Sequence, residues 1–523
     1  MKQTPHPSNG PKIEKPGASW PVVLQSLKAL SPEAFTSSGS VLNLLEGEWK
    51  ERGNGKNYLS PVDRRWLGAI PMIDLESARQ AVRFASSESK AWSRTDLDER
   101  KRRVSATVRK MRDERELLAH LLIWEIGKPY AQALVDVDRC LQGVDWYVEN
   151  IEAMLAGRKP LGLVSNIASW NYPFSVLMHL ILVEVLAGNS VISKTPTDGG
   201  LYALTAAMAL ARREGLPVSL VSGSGGQLSE ALVKNPDVAC LAYVGGKSNG
   251  RDIAASLFDQ GKRYMLEMEG INALGVWKFT DWGELAKHIK KGFDYGKQRC
   301  TAYPRYIIQR ELFPSFVETY LSVLSSLRFG NPVLVADPDD DLPVLDFGPL
   351  INDKKIEELG VNYSEALGQG AVSLFESPLE RGDFLPNQDI STYIGPRALI
   401  NVPRNCRLYH NEPFGPIDTL VVVDSIEEMI AEMNVSNGCL VSSIFCDNAV
   451  VAAEAARELR AFKVGINSLR SRGDREEAFG GVGQSWKGCF VGGRYLVQAL
   501  TEGPIGEQLF GNFPSYTALP QVR

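Results

Sequence analysis

The sequence predicts an α/β fold: two doubly wound α/β domains with a small additional β element. Strands that alternate with helices are typical of a parallel sheet with helices on both faces. Such an alternation is present, with apolar runs at 161–168, 190–194, 219–223 and 240–244 and helical stretches at 173–187, 201–215, 227–235 and 250–260. A second alternation begins near Asn272 and runs to about Gly481. The 523 residues suffice for two or three domains, at roughly 150 residues each.

Other segments frame these two domains. Residues 1–20 contain Pro, Gly and Lys but no apolar core, which predicts a flexible N-terminal arm. Residues 41–68 have turn-forming clusters typical of hairpins, and residues 75–157 place apolar and charged groups at helical spacing. The predicted bounds are 21–144 with 161–271 for the first domain, 272–481 for the second, and 145–160 with 490–523 for the β element.

Composition excludes several classes of protein. The net charge of -5 gives no basic surface for nucleic acid or an anionic membrane. The most apolar stretch, 174–187, is interrupted by His179 and Glu184 and is too short to cross a bilayer. The seven cysteines and five histidines are scattered, without the spacing of a disulfide framework or a metal site. We therefore expect a cytoplasmic protein without a metal and without nucleic-acid or membrane partners.

Three glycines stand where a phosphate-binding turn is expected. Gly245 and Gly246 follow an apolar run, and Gly250 lies in the helical stretch after it. Backbone N–H groups at a helix N-terminus favour a phosphate, and the absence of side chains lets it approach. From the spacing alone, an ordinary strand-to-helix turn is the favoured explanation of these glycines, and the GxGxxG fingerprint is absent.

Two side chains are candidates for covalent and acid–base chemistry. Cys300 follows Lys297 and Arg299, and neighbouring cations favour a thiolate. Glu267 ends an apolar strand, where a carboxylate does not serve packing and can act as a general base. The alternatives are a buried structural cysteine and one half of a salt bridge.

Taken in order, several segments resemble the aldehyde dehydrogenase family over about residues 41 to 505. They are Glu-Ile-Gly-Lys-Pro (125–129), Ser-Trp-Asn-Tyr-Pro (169–173), Ala-Gly-Asn-Ser-Val-Ile-Ser-Lys (187–194), Tyr-Val-Gly-Gly (243–246) with Gly250, Leu-Glu-Met-Glu-Gly (266–270), Gln-Arg-Cys-Thr-Ala (298–302), Glu-Pro-Phe-Gly-Pro (412–416), Gly-Ile-Asn (465–467) and Ala-Phe-Gly-Gly (478–481). Any one match is weak, but this many in sequence order are specific.

The resemblance implies a Rossmann-like domain for NAD or NADP, a catalytic domain and an oligomerisation element in a homodimer or homotetramer. It implies that Cys300 attacks the aldehyde, that Asn171 stabilises the oxyanion and that Glu267 activates the water that hydrolyses the thioester. The implied cofactor residues are Trp170, Lys194, Thr197, Gly245, Gly246, Gly250, Glu412 and Phe414. Asn171 as a helix cap, Lys194 as a solvated charge and Phe414 as core are the alternatives.

The substrate tunnel implied by the resemblance includes Tyr172, His179, Arg299 and Thr301. Arg299 and His179 suggest a polar or anionic group on the aldehyde. Thr197 stands where many relatives have a glutamate that repels the 2′-phosphate of NADP, so we expect NADP to be accepted.

Four residues depart from the family pattern: Gly246, Glu269, Lys297 and Trp486. They mark a distant relative and leave two other functions open. One is a CoA-acylating dehydrogenase, against which Glu267 argues because a hydrolytic base serves only a water acceptor. The other is a structural relative without catalysis, against which the joint presence of Cys300, Asn171 and Glu267 argues.

Overall fold

The computed structural model describes residues 12–257, 260–436, 438–471 and 474–513. Its α-helices are α1 (Trp20–Leu30), α2 (Leu75–Trp92), α3 (Leu97–Asp113), α4 (Arg115–Ile126), α5 (Tyr130–Leu155), α6 (His179–Leu186), α7 (Leu201–Arg213), α8 (Gly225–Leu232), α9 (Lys247–Leu257), α10 (Trp282–Gly292), α11 (Phe313–Ser326), α12 (Asp353–Gly368), α13 (Arg407–His410), α14 (Ile426–Met433), α15 (Ala449–Glu458) and α16 (Gly493–Leu500).

The strands are β1 (Ile13–Glu14), β2 (Asn43–Leu45), β3 (Glu48–Lys50), β4 (Asn54–Leu59), β5 (Trp66–Met72), β6 (Lys159–Pro160), β7 (Leu163–Ile167), β8 (Ser190–Lys194), β9 (Val218–Val221), β10 (Val238–Gly245), β11 (Arg263–Met268), β12 (Ala273–Val276), β13 (Arg305–Gln309), β14 (Leu334–Val335), β15 (Val372–Glu376), β16 (Arg397–Ile400), β17 (Ile417–Val423), β18 (Gly438–Cys439), β19 (Val441–Phe445), β20 (Lys463–Ile466), β21 (Val482–Gly483), β22 (Trp486–Cys489), β23 (Thr501–Glu502) and β24 (Gly511–Asn512).

The first large sheet has nine strands in the order β24-β22-β11-β10-β7-β8-β9-β2-β3. Its five central strands, β11 to β9 in that order, are parallel. The chain runs outward from β7 through β8 and β9, and then returns to the other side of β7 with β10 and β11. Ligands of such sheets bind at the carboxyl ends of the strands where the order reverses, here between β7 and β10.

The second large sheet has seven strands in the order β15-β16-β17-β13-β12-β19-β20. Six are parallel and the edge strand β15 is antiparallel to β16. The predicted α/β class with two doubly wound sheets is therefore confirmed. The chain passes from the first sheet to the second between β11 and β12, which brings Glu267 close in sequence to this crossing.

Residues 75–157 form the predicted helical layer as α2 to α5. Asp74 begins α2, because its carboxylate accepts a hydrogen bond from the Ser77 N–H at 2.8 Å. Hairpins also form in the 41–68 region, where β2 pairs with β3 and β4 with β5.

The predicted flexible arm, 1–20, is corrected for its described part. β1 pairs with β14 of the second domain, and the Glu14 carboxylate binds the guanidinium of Arg65. α1 already begins at Trp20. The remainder of the predicted arm, residues 1–11, lies outside the described residues.

The small β element is only partly as predicted. β6 pairs with β23 and so joins the two predicted segments, but residues 145–155 continue α5 and residues 493–500 form α16. β24 is added to the nine-stranded sheet beside β22. In the described part of the chain, no helix combines the length and apolarity needed to cross a membrane.

Candidate active site

Cys300 lies on a loop between α10 and β13 that is fixed on several sides. Gln298 holds this loop, since its side-chain amide donates to the carbonyls of Tyr295 and Pro349 and accepts from the Ile351 N–H at 3.0 Å. The Cys300 carbonyl accepts from Asn272 Nδ2 at 2.8 Å. All seven cysteines are free thiols, and Cys300 alone among them is partly exposed.

Two of the buried thiols, Cys439 and Cys489, are poor nucleophiles. Burial raises the pKa of Cys439 to about 12 and that of Cys489 to about 11. A thiol with so high a pKa stays protonated near neutral pH and gives no thiolate. Accessibility therefore singles out Cys300.

The two cations that precede Cys300 do not serve it as the sequence suggested. Lys297 is buried and adopts a left-handed backbone with φ of 60°. Its ammonium binds the Asp418 carboxylate at 2.6 Å. Arg299 donates from Nη2 to the Gly292 carbonyl at 2.9 Å and to that of Lys291, at the end of α10. Both charges thus stabilise the loop and the helix terminus, and neither side chain lines a cavity at Cys300.

Asn171 is brought to the same loop by the segment after β7. Its Nδ2 donates to the Gln298 carbonyl at 3.0 Å, and its side chain is buried. The helix that follows is a π-helical turn, Pro173–Met178, and receives no side-chain cap. The interpretation of Asn171 as a helix cap is therefore wrong.

Glu267 occupies the carboxyl end of β11, with 4% of its surface exposed. Two cavities, of about 380 and 450 Å³, meet here. Both are lined by a shared set of residues: Tyr172, Val176, Val244, Glu267 and Cys300. A thiol and a carboxylate are thus reachable from both sides, as a reaction with two ligands requires.

The first cavity lies at the ends of the parallel strands and contains most of the predicted cofactor residues. Gly245 and Gly246 line it, and a Cβ added at Gly246 would meet nothing within 4 Å. Gly250 does not line it. A Cβ there would lie 2.4 Å from the Met268 sulfur, so this glycine serves the close packing of α9 on β11.

Glu412 is the most unusual group in the first cavity. It is 6% exposed, and no donor among the described residues has good hydrogen-bond geometry to either carboxylate oxygen, although the Gly270 N–H is near enough to lower its pKa. Burial holds the pKa of Glu412 well above its usual range, and the negative charge of Glu269 adds to the rise. A buried acceptor without a donor is costly, which indicates that a ligand supplies the donors.

Two aromatic rings line the same cavity as the Glu412 carboxylate. Trp170 and Phe414 both line the cavity and meet edge to face, with ring centroids 5.9 Å apart. Phe414 is only partly buried and has a φ of 52°. Positive φ in a bulky residue is strained and tends to occur at functional sites. Phe414 is thus a cavity residue and not a core residue.

Lys194 and Thr197 lie beyond the lining of this cavity. Lys194 ends β8 and is 7% exposed, so it is not a solvated charge. Its ammonium donates to the Thr195 carbonyl at 2.7 Å, and burial lowers its pKa to about 8. Thr197 is half-buried in the loop that follows.

The second cavity contains three of the four predicted tunnel residues, namely Tyr172, His179 and Thr301. Arg299 does not line it, because its guanidinium donates to the carbonyls at the end of α10. Two arginines that the sequence analysis missed, Arg139 and Arg475, also line it and are exposed.

Other contributing residues were missed as well. Asn272 and Gln298 hold the loop that contains Cys300. Gln298 belongs to the segment 298–302, on which the resemblance partly rests, so its role could have been inferred. Trp486, noted only as a departure, is buried, lines the second cavity and donates from Nε1 to the Cys489 carbonyl at 2.9 Å. Nothing in the sequence places Arg139 beside Arg475. The described residues contain no group of three or more ligands suited to a metal ion.

Comparison with known proteins gives consistent matches along most of the chain. An NADP-dependent glyceraldehyde-3-phosphate dehydrogenase of Pisum sativum is 26% identical over 467 residues, which cover 84% of this chain and 90% of that one. A glutarate-semialdehyde dehydrogenase of Pseudomonas putida is 24% identical and covers 88% and 95%.

Solved structures share the fold. The glyceraldehyde-3-phosphate dehydrogenase of Bacillus halodurans C-125, complexed with NADP, aligns with a TM-score of 0.79 at 24% identity, over 88% of this chain and 98% of that one. The betaine aldehyde dehydrogenase of Staphylococcus aureus, in complex with NAD+, aligns with a TM-score of 0.80 at 20% identity, over 93% and 98%.

A family model decides the assignment. The model described as the aldehyde dehydrogenase family matches residues 49–503, which include the parallel strands of both large sheets and every residue of the candidate site. The protein therefore belongs to the aldehyde dehydrogenase family.

Proposed function

We propose that the protein oxidises an aldehyde to a carboxylic acid through a thioester on Cys300, with NAD or NADP as hydride acceptor. The observation that carries the proposal is the junction of the two cavities, where Cys300 and Glu267 line both and Asn171 lines the first. One cavity then suits the cofactor and the other the aldehyde.

The first cavity fits a dinucleotide. Ribose hydroxyls are the donors that the buried Glu412 carboxylate lacks, and the open space at Gly246 leaves room for the diphosphate. Lys194 and Glu412 would hold the riboses, with Trp170 and Phe414 against the nicotinamide. Two aligned neighbours were solved with NADP and with NAD+. Thr197 carries no charge that would repel the 2′-phosphate of NADP.

In the first half-reaction, the Cys300 thiol loses its proton to solvent, the thiolate sulfur adds to the aldehyde carbon and the carbonyl oxygen becomes an oxyanion. The Asn171 amide has two N–H hydrogens, and one of them donates to the Gln298 carbonyl. We assign the second, together with the Cys300 backbone N–H, to the oxyanion. NAD or NADP held in the first cavity would supply the acceptor for the hydride that leaves the carbon. A thioester then remains on Cys300.

In the second half-reaction, the Glu267 carboxylate takes a proton from a water molecule. The water oxygen attacks the thioester carbonyl, the carbon–sulfur bond breaks and Cys300 leaves as a thiolate. The product is the carboxylic acid. Because Glu267 lines both cavities, water can reach the thioester from the side that the cofactor leaves.

The second cavity favours a polar or anionic aldehyde. Arg139 and Arg475 are exposed and line it with His179. Of its three carboxylates, Glu267, Asp474 and Glu477, the last is already paired with Lys463 and Arg470. Arg299, on which the expectation partly rested, makes its bonds elsewhere, so Arg139 and Arg475 replace it in this argument. Two relatives are named for anionic substrates, a phosphorylated aldehyde and an acidic semialdehyde.

The test is the formation of reduced nicotinamide, followed by its absorbance with a panel of aldehydes and with NAD or NADP. We expect activity without CoA, acid as product, and faster turnover of acidic semialdehydes than of alkanals of equal length. Activity only with CoA, and an acyl-CoA product, would establish the acylating alternative. No activity in either case, with a Cys300 that resists a small alkylating agent, would indicate a structural relative without catalysis.

Cofactor affinity is expected to fall as the pH rises through about 8. Burial lowers the pKa of Lys194 to about 8, so its ammonium is present below this pH and is lost above it. If only the charged form binds the ribose, Kd rises about tenfold for each further pH unit. Fluorescence titrations with NADP from pH 6.5 to 9.5 measure this, and Lys194→Met should bind weakly without this dependence.

The matched control is Lys234→Met, which removes an exposed lysine paired with Glu230 instead of a buried one, and should keep the profile of the unaltered protein. An affinity of the unaltered protein that stays constant over this range would contradict the role of Lys194.

A further inference from the structure

Glu269 places a negative charge at the N-terminus of α9. It follows β11 directly, and its Oε1 accepts a hydrogen bond from the Lys247 N–H, the first residue of that helix, at 3.3 Å. The first N–H groups of a helix have no partner within the helix, and the helix dipole makes this end favourable for an anion. The carboxylate therefore occupies a position that suits a phosphate equally well.

The same cavity is open to a ligand at this point. Gly245 and Gly246, which precede α9, line the cavity with Glu269, and the space above Gly246 is free of protein atoms within 4 Å of an added Cβ. Independently, Glu412 lines the cavity as a buried carboxylate without a well-aligned donor among the described residues. Glu269 is the charged group that contributes most to the raised pKa of Glu412.

The remaining charges of the cavity do not compensate. Besides Glu412, whose raised pKa favours its neutral form, the lining contains four carboxylates and two lysines: Asp198, Glu267, Glu269 and Glu358 against Lys354 and Lys355. Lys355 is already paired with Glu358 at 3.0 Å. A dinucleotide diphosphate, itself an anion, thus enters a site of the same sign.

We propose that Glu269 is a resident anion that competes with the cofactor diphosphate for the N-terminus of α9 and thereby weakens cofactor binding. This inference rests on the proposed function, since it assumes a dinucleotide in the first cavity. When the cofactor binds, the Glu269 carboxylate has to leave the Lys247 N–H or remain beside a like charge. Either outcome lowers the affinity, and the bound cofactor is released more readily.

Two substitutions separate charge from shape. Glu269→Gln keeps an oxygen that can accept from the Lys247 N–H but removes the charge. Glu269→Gly removes the side chain as well. We expect NAD and NADP to bind about threefold to tenfold more tightly to the Gln variant, and at least tenfold more tightly to the Gly variant. These constants come from calorimetric titration of the cofactor without any aldehyde.

Salt provides a second measurement. Added salt screens repulsion between like charges, so raising it from 20 to 300 mM should improve the affinity of the unaltered protein relative to that of Glu269→Gln. Glu230→Gln is the control: it removes an exposed carboxylate of α8 that is paired with Lys234 and does not line the cavity, and it should leave Kd within about twofold. Thermal unfolding of each variant shows whether α9 remains folded.

Unchanged or weaker binding by a folded Glu269→Gln would overturn the inference and leave the proposed function intact. An equal gain in Glu230→Gln would also overturn it, because the effect would then belong to the general charge of the protein. If neither the unaltered protein nor any of the variants binds NAD or NADP, both the proposed function and the inference are wrong.

Discussion

Cys300→Ala is expected to lower aldehyde oxidation by at least about 10⁴-fold while cofactor binding stays intact. The substitution removes the sulfur that is proposed to bond to the aldehyde carbon. Without this bond, no tetrahedral adduct forms from which a hydride can leave. Cys300 packs at the edge of the core and its backbone is held by Asn272 and Gln298, so the loop should keep its shape. The rate of formation of reduced nicotinamide gives the effect on catalysis, and calorimetric titration gives cofactor binding.

Cys406→Ala is the matched control for this experiment. Cys406 is a free, buried thiol in a small apolar cluster of the second domain, far in sequence from the proposed site. Its loss should cost some stability but little activity. Substantial oxidation by Cys300→Ala, or equal losses in the two variants, would refute covalent catalysis at Cys300.

Glu267→Gln is expected to separate the two half-reactions. Thioester formation does not use the Glu267 carboxylate, so the variant should release about one equivalent of reduced cofactor per active site in a rapid first phase. Hydrolysis lacks its base, so the steady rate should fall by about 10² to 10⁴-fold. Rapid-mixing absorbance records both phases, and mass spectrometry of the intact protein should show the acyl group on Cys300.

Glu358, another carboxylate that lines the first cavity, provides the control. Glu358→Gln should show neither the rapid phase followed by arrest nor the trapped acyl group. A Glu267→Gln variant that loses the first phase as strongly as the steady rate would mean that Glu267 acts before the thioester forms, for example on the Cys300 thiol.

The order of strands and helices was largely predictable from the sequence. β7 to β11 are short, strongly apolar and separated by helices with an apolar face, and these local patterns are preserved in the fold. The pairing of β1 with β14 was not predictable, because a strand of two residues has too little pattern to distinguish it from a flexible arm.

The directions of the side chains at the site were harder to predict from the sequence. Arg299 is adjacent to Cys300, yet it points to the end of α10, because the three residues Tyr295, Gly296 and Lys297 all have positive φ and turn the loop. A lysine with positive φ could not be anticipated from its neighbours. The arginines of the second cavity come from α5 and from the segment before β21, and only the tertiary fold brings them together.

The pairing of β11 with β22 has a consequence for how the enzyme is made. Glu267 lies opposite Trp486 in this antiparallel pair, and the Met268 N–H donates to the Ser485 carbonyl at 2.8 Å. The strand that carries the proposed base thus has an unpaired outer edge until the ribosome has added residues 485–489. A chain released before that point contains Cys300, Asn171 and Glu267 but has no partner strand to hold the glutamate in place. Incomplete translation products therefore carry every reactive group without the assembled centre.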